Sequence, residues 1–203
     1  MIREIILATE RLKIRPWERR DYYAMDRWPP FTEALSLIWN LPQAVSAGRG
    51  SWPKPDIRRA YAVENHDGQL IGRISLREID RARGSARLGI SFGSPYVGQG
   101  LGTEALSHFL DAYFGPLGFR VMVLDVAAPN VRAVRSYQKL GFRITGRHWR
   151  DAGESISRRL QSAIPPELER HFRWGVRSLW IEFYDMELTK AEWLDRRARS
   201  RTV

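Results

Sequence analysis

Residues Val97-Gly98-Gln99-Gly100-Leu101-Gly102-Thr103 join a predicted strand to a predicted amphipathic helix. Glycines at alternate positions leave the backbone N–H groups free to turn toward one anion, because no Cβ atom obstructs them. The dipole at the start of the following helix adds partial positive charge at the same place. A pyrophosphate group is the expected ligand, and a connector that binds nothing is the simpler alternative.

Two other phosphate-binding loops are weaker interpretations of the same stretch. A P-loop needs a lysine directly after its last glycine, whereas Thr103 follows Gly102 here. A Rossmann fingerprint has the spacing G-x-G-x-x-G, and Asp125 stands about where its ribose-binding acid would be. In this chain, however, the third glycine comes one residue early, and residues 94–97 separate the strand from the first glycine.

A second motif lies downstream, where Asn130 opens a predicted helix that ends in Tyr137-Gln138-Lys139-Leu140-Gly141-Phe142. Residues 97–106 and 130–142 together resemble the two signatures of the GNAT (Gcn5-related N-acetyltransferase) superfamily. The runs 9–16 and 183–186 resemble its RimJ/RimL-like branch. The resemblance implies a mixed α/β (α+β) fold with a central twisted mixed β-sheet flanked by helices. It also implies a single acyl-CoA N-acyltransferase domain over residues 1–203.

The resemblance implies an enzyme that moves an acetyl group from acetyl-CoA directly to a primary amine, with acetyl-CoA as cosubstrate and no metal. A protein N-terminus is the hypothesised acceptor, and a small amine such as a polyamine or an aminoglycoside is the alternative. A non-catalytic acyl-CoA-binding or regulatory module is the alternative from a different class. The residues expected to bind acetyl-CoA are Ile90, Phe92, Gly98, Gln99, Gly100, Gly102, Thr103 and Asn130.

Tyr137 is the candidate general acid, since a phenol with a pKa of about 10 stays protonated and can donate to the leaving thiolate. A core aromatic is its structural alternative, and a helix N-cap is that of Asn130. In the family a bulge splays the strand at residues 88–92 from its neighbour, and we expect Gly89 to supply it. No base stands out among the carboxylates considered, which are Glu64, Glu78, Asp80, Glu154 and Glu182.

The chain departs from the family pattern at two positions. Val97 stands where the pattern has Gln or Arg, so we expect backbone donors alone to hold the phosphates there. Arg87 stands where the branch often has a Glu, which removes a carboxylate base from that place. The aromatic residues near the N-terminus are expected to fill the core for the most part, with an acceptor pocket as the alternative; they are Trp17, Tyr22, Tyr23, Trp28, Trp39 and Trp52.

The remaining pattern predicts alternating strands and helices. Strands are expected at 9–16, 59–64, 70–79, 86–92, 121–126, 142–145 and 178–188, and the hairpin turn at 65–68. Helices are expected from about 17 to 24, briefly at 31–39 within an irregular segment 25–57, and at 103–114 and 130–140 with Gly141 as the C-terminal cap. Residues 151–177 are expected to form an extra helical insertion before the last strands, and residues 195–203 a solvated basic tail.

Composition bounds the partners. The 203 residues carry a net charge of +10 and no cysteine, and the four histidines show no metal-ligand spacing. The charge favours an anionic partner, but basic residues scattered along the chain make a nucleic acid unlikely as that partner. The charged N-terminus does not resemble a signal peptide, and no apolar run approaches the about 20 residues of a membrane span, so a cytoplasmic protein is expected. The family and the extra segment suggest a homodimer.

Overall fold

The computed structural model describes residues 6–39 and 59–200. Within them one mixed sheet has the strand order β1-β2-β3-β4-β5-β6-β9-β7, with β8 paired to β9. The pairs are antiparallel except for β5 and β6, which run parallel. The strands are β1 (Leu7–Ala8), β2 (Leu12–Pro16), β3 (Arg59–Asn65), β4 (Leu70–Asp80), β5 (Ser85–Phe92), β6 (Val121–Ala127), β7 (Arg143–Asp151), β8 (Phe172–Trp174) and β9 (Leu179–Thr189).

Helices flank this sheet, which confirms the predicted mixed α/β class. They are α1 (Arg19–Met25), α2 (Leu101–Phe114), α3 (Val131–Leu140), α4 (Gly153–Leu160) and α5 (Lys190–Ser200), with short 3-10 turns at Ala34–Ile38, Ser94–Tyr96 and Pro166–His171. Helix α2 buries its apolar face, including Leu106, Phe109 and Tyr113, against the sheet core. Helix α3 ends as predicted at Gly141, whose φ of 100° is the left-handed cap.

The insertion before the last strand is only partly helical. Helix α4 and the turn Pro166–His171 are the two expected helical pieces. Strand β7 is longer than predicted and runs to Asp151, and β8 adds a short strand that the sequence did not predict. These residues are in strands because each pairs with β9, a long-range contact that leaves little trace in the local pattern.

Residues 195–200, which the sequence predicted as part of a solvated basic tail, continue helix α5, and all of them except Arg197 are exposed. Arg197 Nη2 lies 2.6 Å from Asp111 Oδ2 on α2, and the Trp193 indole donates to the same carboxylate at 2.9 Å. Helix α5 is therefore docked on α2 through Trp193 and Arg197. Residues 201–203, and the part of the irregular segment that covers 40–58, lie outside the described residues. Among the described helices, none has the length and apolar character needed to cross a membrane.

An ion cluster is buried where β2, β3 and α1 meet. The Arg15 guanidinium lies 2.7 Å from Asp21 Oδ1 and 2.6 Å from Glu64 Oε1. Burial alone would raise the pKa of the Asp21 carboxyl, but hydrogen bonds from Arg15 and the Glu18 backbone lower that pKa below its ordinary value. The cluster fixes α1 to the sheet. The last residue of α1, Met25, and Phe31 in the segment that follows both line the cavity described next.

Candidate active site

The sheet opens between its two parallel strands. Strands β5 and β6 pair only from Ser85↔Val121 to Arg87↔Val123, although both continue further. We call this gap the wedge; it is bounded by residues 88–92 on β5 and 124–127 on β6. The predicted separation of residues 88–92 from the neighbouring strand is confirmed.

The bulge, however, is not at Gly89, which pairs in register with Ser75. The irregularity lies on β4 between Arg77 and Asp80, where Glu78 has a φ of 49°. Gly89 meets a different need: a Cβ atom added there would lie 2.5 Å from Ser75 Oγ. A sequence pattern does not distinguish a glycine at a bulge from one at a close approach, because both leave only an interrupted strand.

Backbone groups of β5 face the wedge. The Gly93 N–H donates to Ile71 O on β4 at 3.0 Å. Because peptide groups alternate in direction along an antiparallel pair, Ile90 and Phe92 direct their N–H and C=O groups away from β4 and toward the wedge. Ile90 and Phe92, two of the residues expected to bind acetyl-CoA, thus turn backbone polar groups toward the wedge, beyond the last β5–β6 pair.

A cavity of about 760 Å³ fills the wedge and extends to the glycine-rich turn. Residues of the sheet, of the turn and of α3 line it, among them Ile90, Phe92, Gly98, Gly100, Gly102, Thr103, Asp125, Asn130 and Tyr137. The structure therefore brings together every predicted site residue except Gln99. The Gln99 side chain does not line the cavity; its Nε2 donates to Pro95 O at 2.7 Å.

The glycine-rich turn has the geometry of an anion cradle. Gly98 and Gly100 have φ values of 81° and 79°, in the left-handed region that favours glycine. Gly100 is the N-cap of α2, and its carbonyl accepts the first helical bond, from Glu104 N at 3.0 Å. The N–H groups of residues 101–103 precede this bond and have no helical acceptor. These donors and the helix dipole fit a pyrophosphate group such as that of coenzyme A.

An ion pair locks this turn to the start of the chain. Arg11 binds the Glu104 carboxylate, and Thr9 donates to Glu104 Oε1 at 2.6 Å. Burial would raise the pKa of Glu104, but the hydrogen bonds from Thr9 and Arg11 lower it below its ordinary value. The Arg11 charge thereby neutralises a carboxylate that would otherwise repel an anion in the first turn of α2.

Tyr137 packs against the core and also lines the cavity. Its ring packs edge-on against Phe142 at 5.8 Å, and within the described residues its hydroxyl has no hydrogen-bond partner. Burial, followed by the nearby Asp125 carboxylate, raises the pKa of Tyr137 well above its ordinary value. The phenol is therefore protonated at neutral pH. Asn130 is the N-cap of α3, with its side chain accepting from Ala133 N at 3.2 Å, and also lines the cavity.

Sequence reasoning missed an ion network at the floor of the wedge. Asp125 on β6 accepts from Arg87 at 2.8 Å and from Arg150 at 2.6 Å. Arg87 also binds Glu78 at 2.8 Å, and Arg150 donates to His148 at 3.0 Å. Asp125 was the one polar interruption of an otherwise apolar strand, a signal that could have marked it as functional.

The five carboxylates considered as bases do not line the cavity in the part of the chain that the structure describes. Each is bound elsewhere: Glu64 by Arg15, Glu78 by Arg87, Asp80 by the Arg83 N–H, Glu154 by Arg177 and Glu182 by His171. The sequence predicted that Arg87 removes a carboxylate from this place. The floor of the wedge nevertheless contains one, Asp125. Asp125, however, is bound by the guanidinium groups of Arg87 and Arg150.

The aromatic residues near the N-terminus divide between wall and surface. Phe31 and Trp39 pack edge-on at 5.0 Å and line the cavity. Tyr22 and Tyr23 are exposed, and Trp17, Trp28 and Trp39 are only half-buried, so the expectation that most of this group fills the core is wrong for its five described members. Trp52 lies outside the described residues.

Comparison with known proteins gives a consistent family. The acetyltransferase (GNAT) domain matches residues 11–143. Spermidine N(1)-acetyltransferase of Escherichia coli (strain K12) is 34% identical over 139 residues, which cover 66% of this chain and 74% of that protein. The enzyme of the same name from Vibrio cholerae is 32% identical over 84 residues, 41% of this chain and 49% of that protein.

Solved structures share the fold. The crystal structure of spermidine N-acetyltransferase from Vibrio cholerae in complex with CoA and spermine superposes with a TM-score of 0.64. The match covers 92% of this chain and 99% of that one at 19% sequence identity, so it supports the fold alone.

Proposed function

The chain belongs to the acetyltransferase (GNAT) family and transfers an acetyl group from acetyl-CoA to an amine, and on that premise we propose that the wedge is where the transfer takes place. The observation that carries this proposal is the loss of β5–β6 pairing after Arg87, which opens the sheet directly below the glycine cradle. The cradle binds the pyrophosphate, and the wedge directs the thioester toward Tyr137 and the opposite face of the sheet.

The residues of the wedge have separate tasks. The N–H groups of the cradle hold the phosphates, and the unpaired backbone of Ile90 and Phe92 holds the pantetheine arm. A backbone N–H of the same strand also donates to the thioester carbonyl oxygen as negative charge develops on it, a contribution that is worth about 3–4 kcal/mol per donor elsewhere. Asn130 orders the start of α3 and so positions Tyr137.

The chemistry exchanges one bond for another. The amine nitrogen attacks the thioester carbon, the C–N bond forms, and the C–S bond breaks. Tyr137 donates its proton to the departing sulfur and regains one from solvent. The amine proton leaves to solvent, because Asp125, the one carboxylate among the described residues that line the cavity, is bound to Arg87 and Arg150. The exchange needs an acceptor amine that is neutral and has a proton on nitrogen to lose.

Replacing Tyr137 with Phe tests the catalytic proposal against the alternative of a binding module. We expect kcat to fall about 100-fold, at the low end for a general acid because a thiolate leaves readily. Acetyl-CoA affinity should stay within about twofold, since the ring and its packing on Phe142 remain. A rate equal to that of the wild type would remove Tyr137 from the mechanism. No turnover of any amine by the wild type, with acetyl-CoA bound, would favour the binding module.

The pH profile gives this experiment a second readout. Because its pKa is raised, Tyr137 stays protonated through the range in which amines lose their proton. We therefore expect kcat/KM to rise with pH as the acceptor deprotonates, and to show no falling limb below about pH 10. A falling limb between pH 7 and 9 would identify a different group as the acid.

The cytoplasmic location and the homodimer suggested by the sequence stay predictions, as does the view that nucleic acid is not a partner. Size-exclusion chromatography with light scattering tests the dimer. Steep salt-dependent binding to DNA or RNA would contradict the last of these predictions.

A further inference from the structure

The face of the sheet opposite α2 carries a row of polar side chains along β4. Ile74 and Leu76 point into the core, so Arg73, Ser75 and Arg77 point to the other face. These three residues of β4 line the cavity. Their partners on the neighbouring strand β5 are Ser91, Gly89 and Arg87, respectively. We call Arg73 and Arg77 the β4 arginines.

The β4 arginines differ from Arg87 and Arg150 because neither binds a carboxylate of the described residues. Arg87 and Arg150 are both bound to Asp125, the single carboxylate among the described residues that line the cavity. Within residues 6–39 and 59–200 the β4 arginines form no ion pair, and the Nε atom of each is shielded from solvent without a hydrogen-bond partner. A shielded charged donor costs free energy until an acceptor binds it.

Their positions point to the acceptor side of the wedge. A Cβ atom built on Gly89 would lie 3.6 Å from Arg77 Nε and 3.8 Å from Arg77 Nη2, so this guanidinium lies over β5 where β6 has diverged. Arg73 lies further back, with its guanidinium 5.0 Å from the centre of the Trp17 ring. The cradle for the pyrophosphate is at the N-terminus of α2, on the side of the sheet away from both. The cofactor phosphates are therefore not their partner.

We propose that the acceptor is a primary amine that also carries an anionic group, a carboxylate or a phosphate, and that Arg77 with Arg73 binds this group beside the wedge. The proposal rests on the proposed function of the wedge. It separates this chain from relatives named for spermidine, because a polycation would meet unpaired guanidinium groups on this face. The positive field also favours the neutral form of the bound amine, which is the form that reacts.

Matched acceptors that differ in charge test this inference. Initial rates are measured with glycine and glycinamide, with β-alanine and β-alaninamide, with C-terminally amidated peptides that begin with Glu or Gln, with phosphoethanolamine and ethanolamine, and with spermidine. We expect kcat/KM for the anionic member to exceed that of its neutral partner about 10- to 100-fold, as one or two charge-assisted hydrogen bonds predict. The free amino acids and the peptides show whether the acceptor is a small molecule or a chain terminus.

Arginine variants then assign the preference to the β4 arginines. Arg77→Gln should remove the advantage of anionic acceptors, and Arg77→Glu should shift the preference toward spermidine. Arg159→Gln, on the exposed face of α4, is the matched control and should keep it. Equal melting temperatures and acetyl-CoA affinities would show that the variants are folded.

Two results would overturn the inference. If the wild type acetylates neutral amines or spermidine as well as anionic amines, the inference is wrong while the proposed function stands. If the wild type binds no acetyl-CoA and acetylates no amine, the proposed function is wrong and the inference falls with it.

Discussion

Calorimetric titration of a Gly100→Asp variant with acetyl-CoA should show an affinity about 10³-fold below that of the wild type. The new carboxylate would stand at the N-cap of α2, where residues 101–103 present their free N–H groups. It would repel the pyrophosphate and compete for these donors. Loss of two charge-assisted hydrogen bonds of about 1.5–3 kcal/mol each suffices for such a change, at 1.4 kcal/mol per tenfold.

The control for this variant is Gly118→Asp. Gly118 has a φ of 75°, close to the 79° of Gly100, and an added Cβ would meet nothing within 4 Å. Both variants therefore introduce the same residue at a left-handed position, but only one does so at the cradle. Unchanged acetyl-CoA affinity in Gly100→Asp would contradict the cradle. Binding of NADH in place of CoA would instead favour the dinucleotide interpretation of the turn.

The second large effect concerns stability. Arg15→Met should lower the free energy of unfolding by about 3–5 kcal/mol, since it leaves the buried carboxylates of Asp21 and Glu64 without their cation. Urea unfolding measures this loss. Arg20→Met is the control, because Arg20 forms an exposed pair with Glu18 that is worth less than about 1 kcal/mol.

The pH dependence of stability checks the same cluster. The pKa of Asp21 is lowered in the folded state, so its stabilising contribution is present above the unfolded-state value of about 3.9 and is lost as pH falls through the folded value. Wild-type stability should accordingly decline at acidic pH, and this decline should be smaller in Arg15→Met. A loss below about 1 kcal/mol in Arg15→Met at neutral pH would show that the cluster is not structurally important.

The elements that were predicted most accurately from the sequence are those whose caps and turns are marked by neighbouring residues. The glycine-rich turn and the helix from Asn130 to Gly141 carry their own caps, and the structure places both as expected. The hairpin of β3 and β4 follows from its turn residues. These features depend on neighbours along the chain, which is why a single sequence suffices to predict them.

The rest depends on contacts between distant residues. The bulge at Glu78 is set by the register of β4 against β5, and the docking of α5 by Asp111 on α2. The floor of the wedge joins Asp125 to Arg87 and Arg150, which come from three strands. No local pattern encodes such long-range contacts. The glycine-rich turn and Tyr137 could therefore be predicted as site residues from the sequence, whereas the ion network around Asp125 could not.

Residue-resolved amide hydrogen exchange, with and without acetyl-CoA, shows whether the cofactor binds in the wedge between β5 and β6. Saturating acetyl-CoA should slow exchange at Ile90 and Phe92, whose N–H groups face the wedge, and at Gly102 and Thr103 in the cradle. Exchange at Gly68, in the hairpin turn between β3 and β4, should not change. Slowed exchange in the cradle and the wedge together is the predicted result. Unchanged exchange at Ile90 and Phe92, with acetyl-CoA bound, would contradict the account.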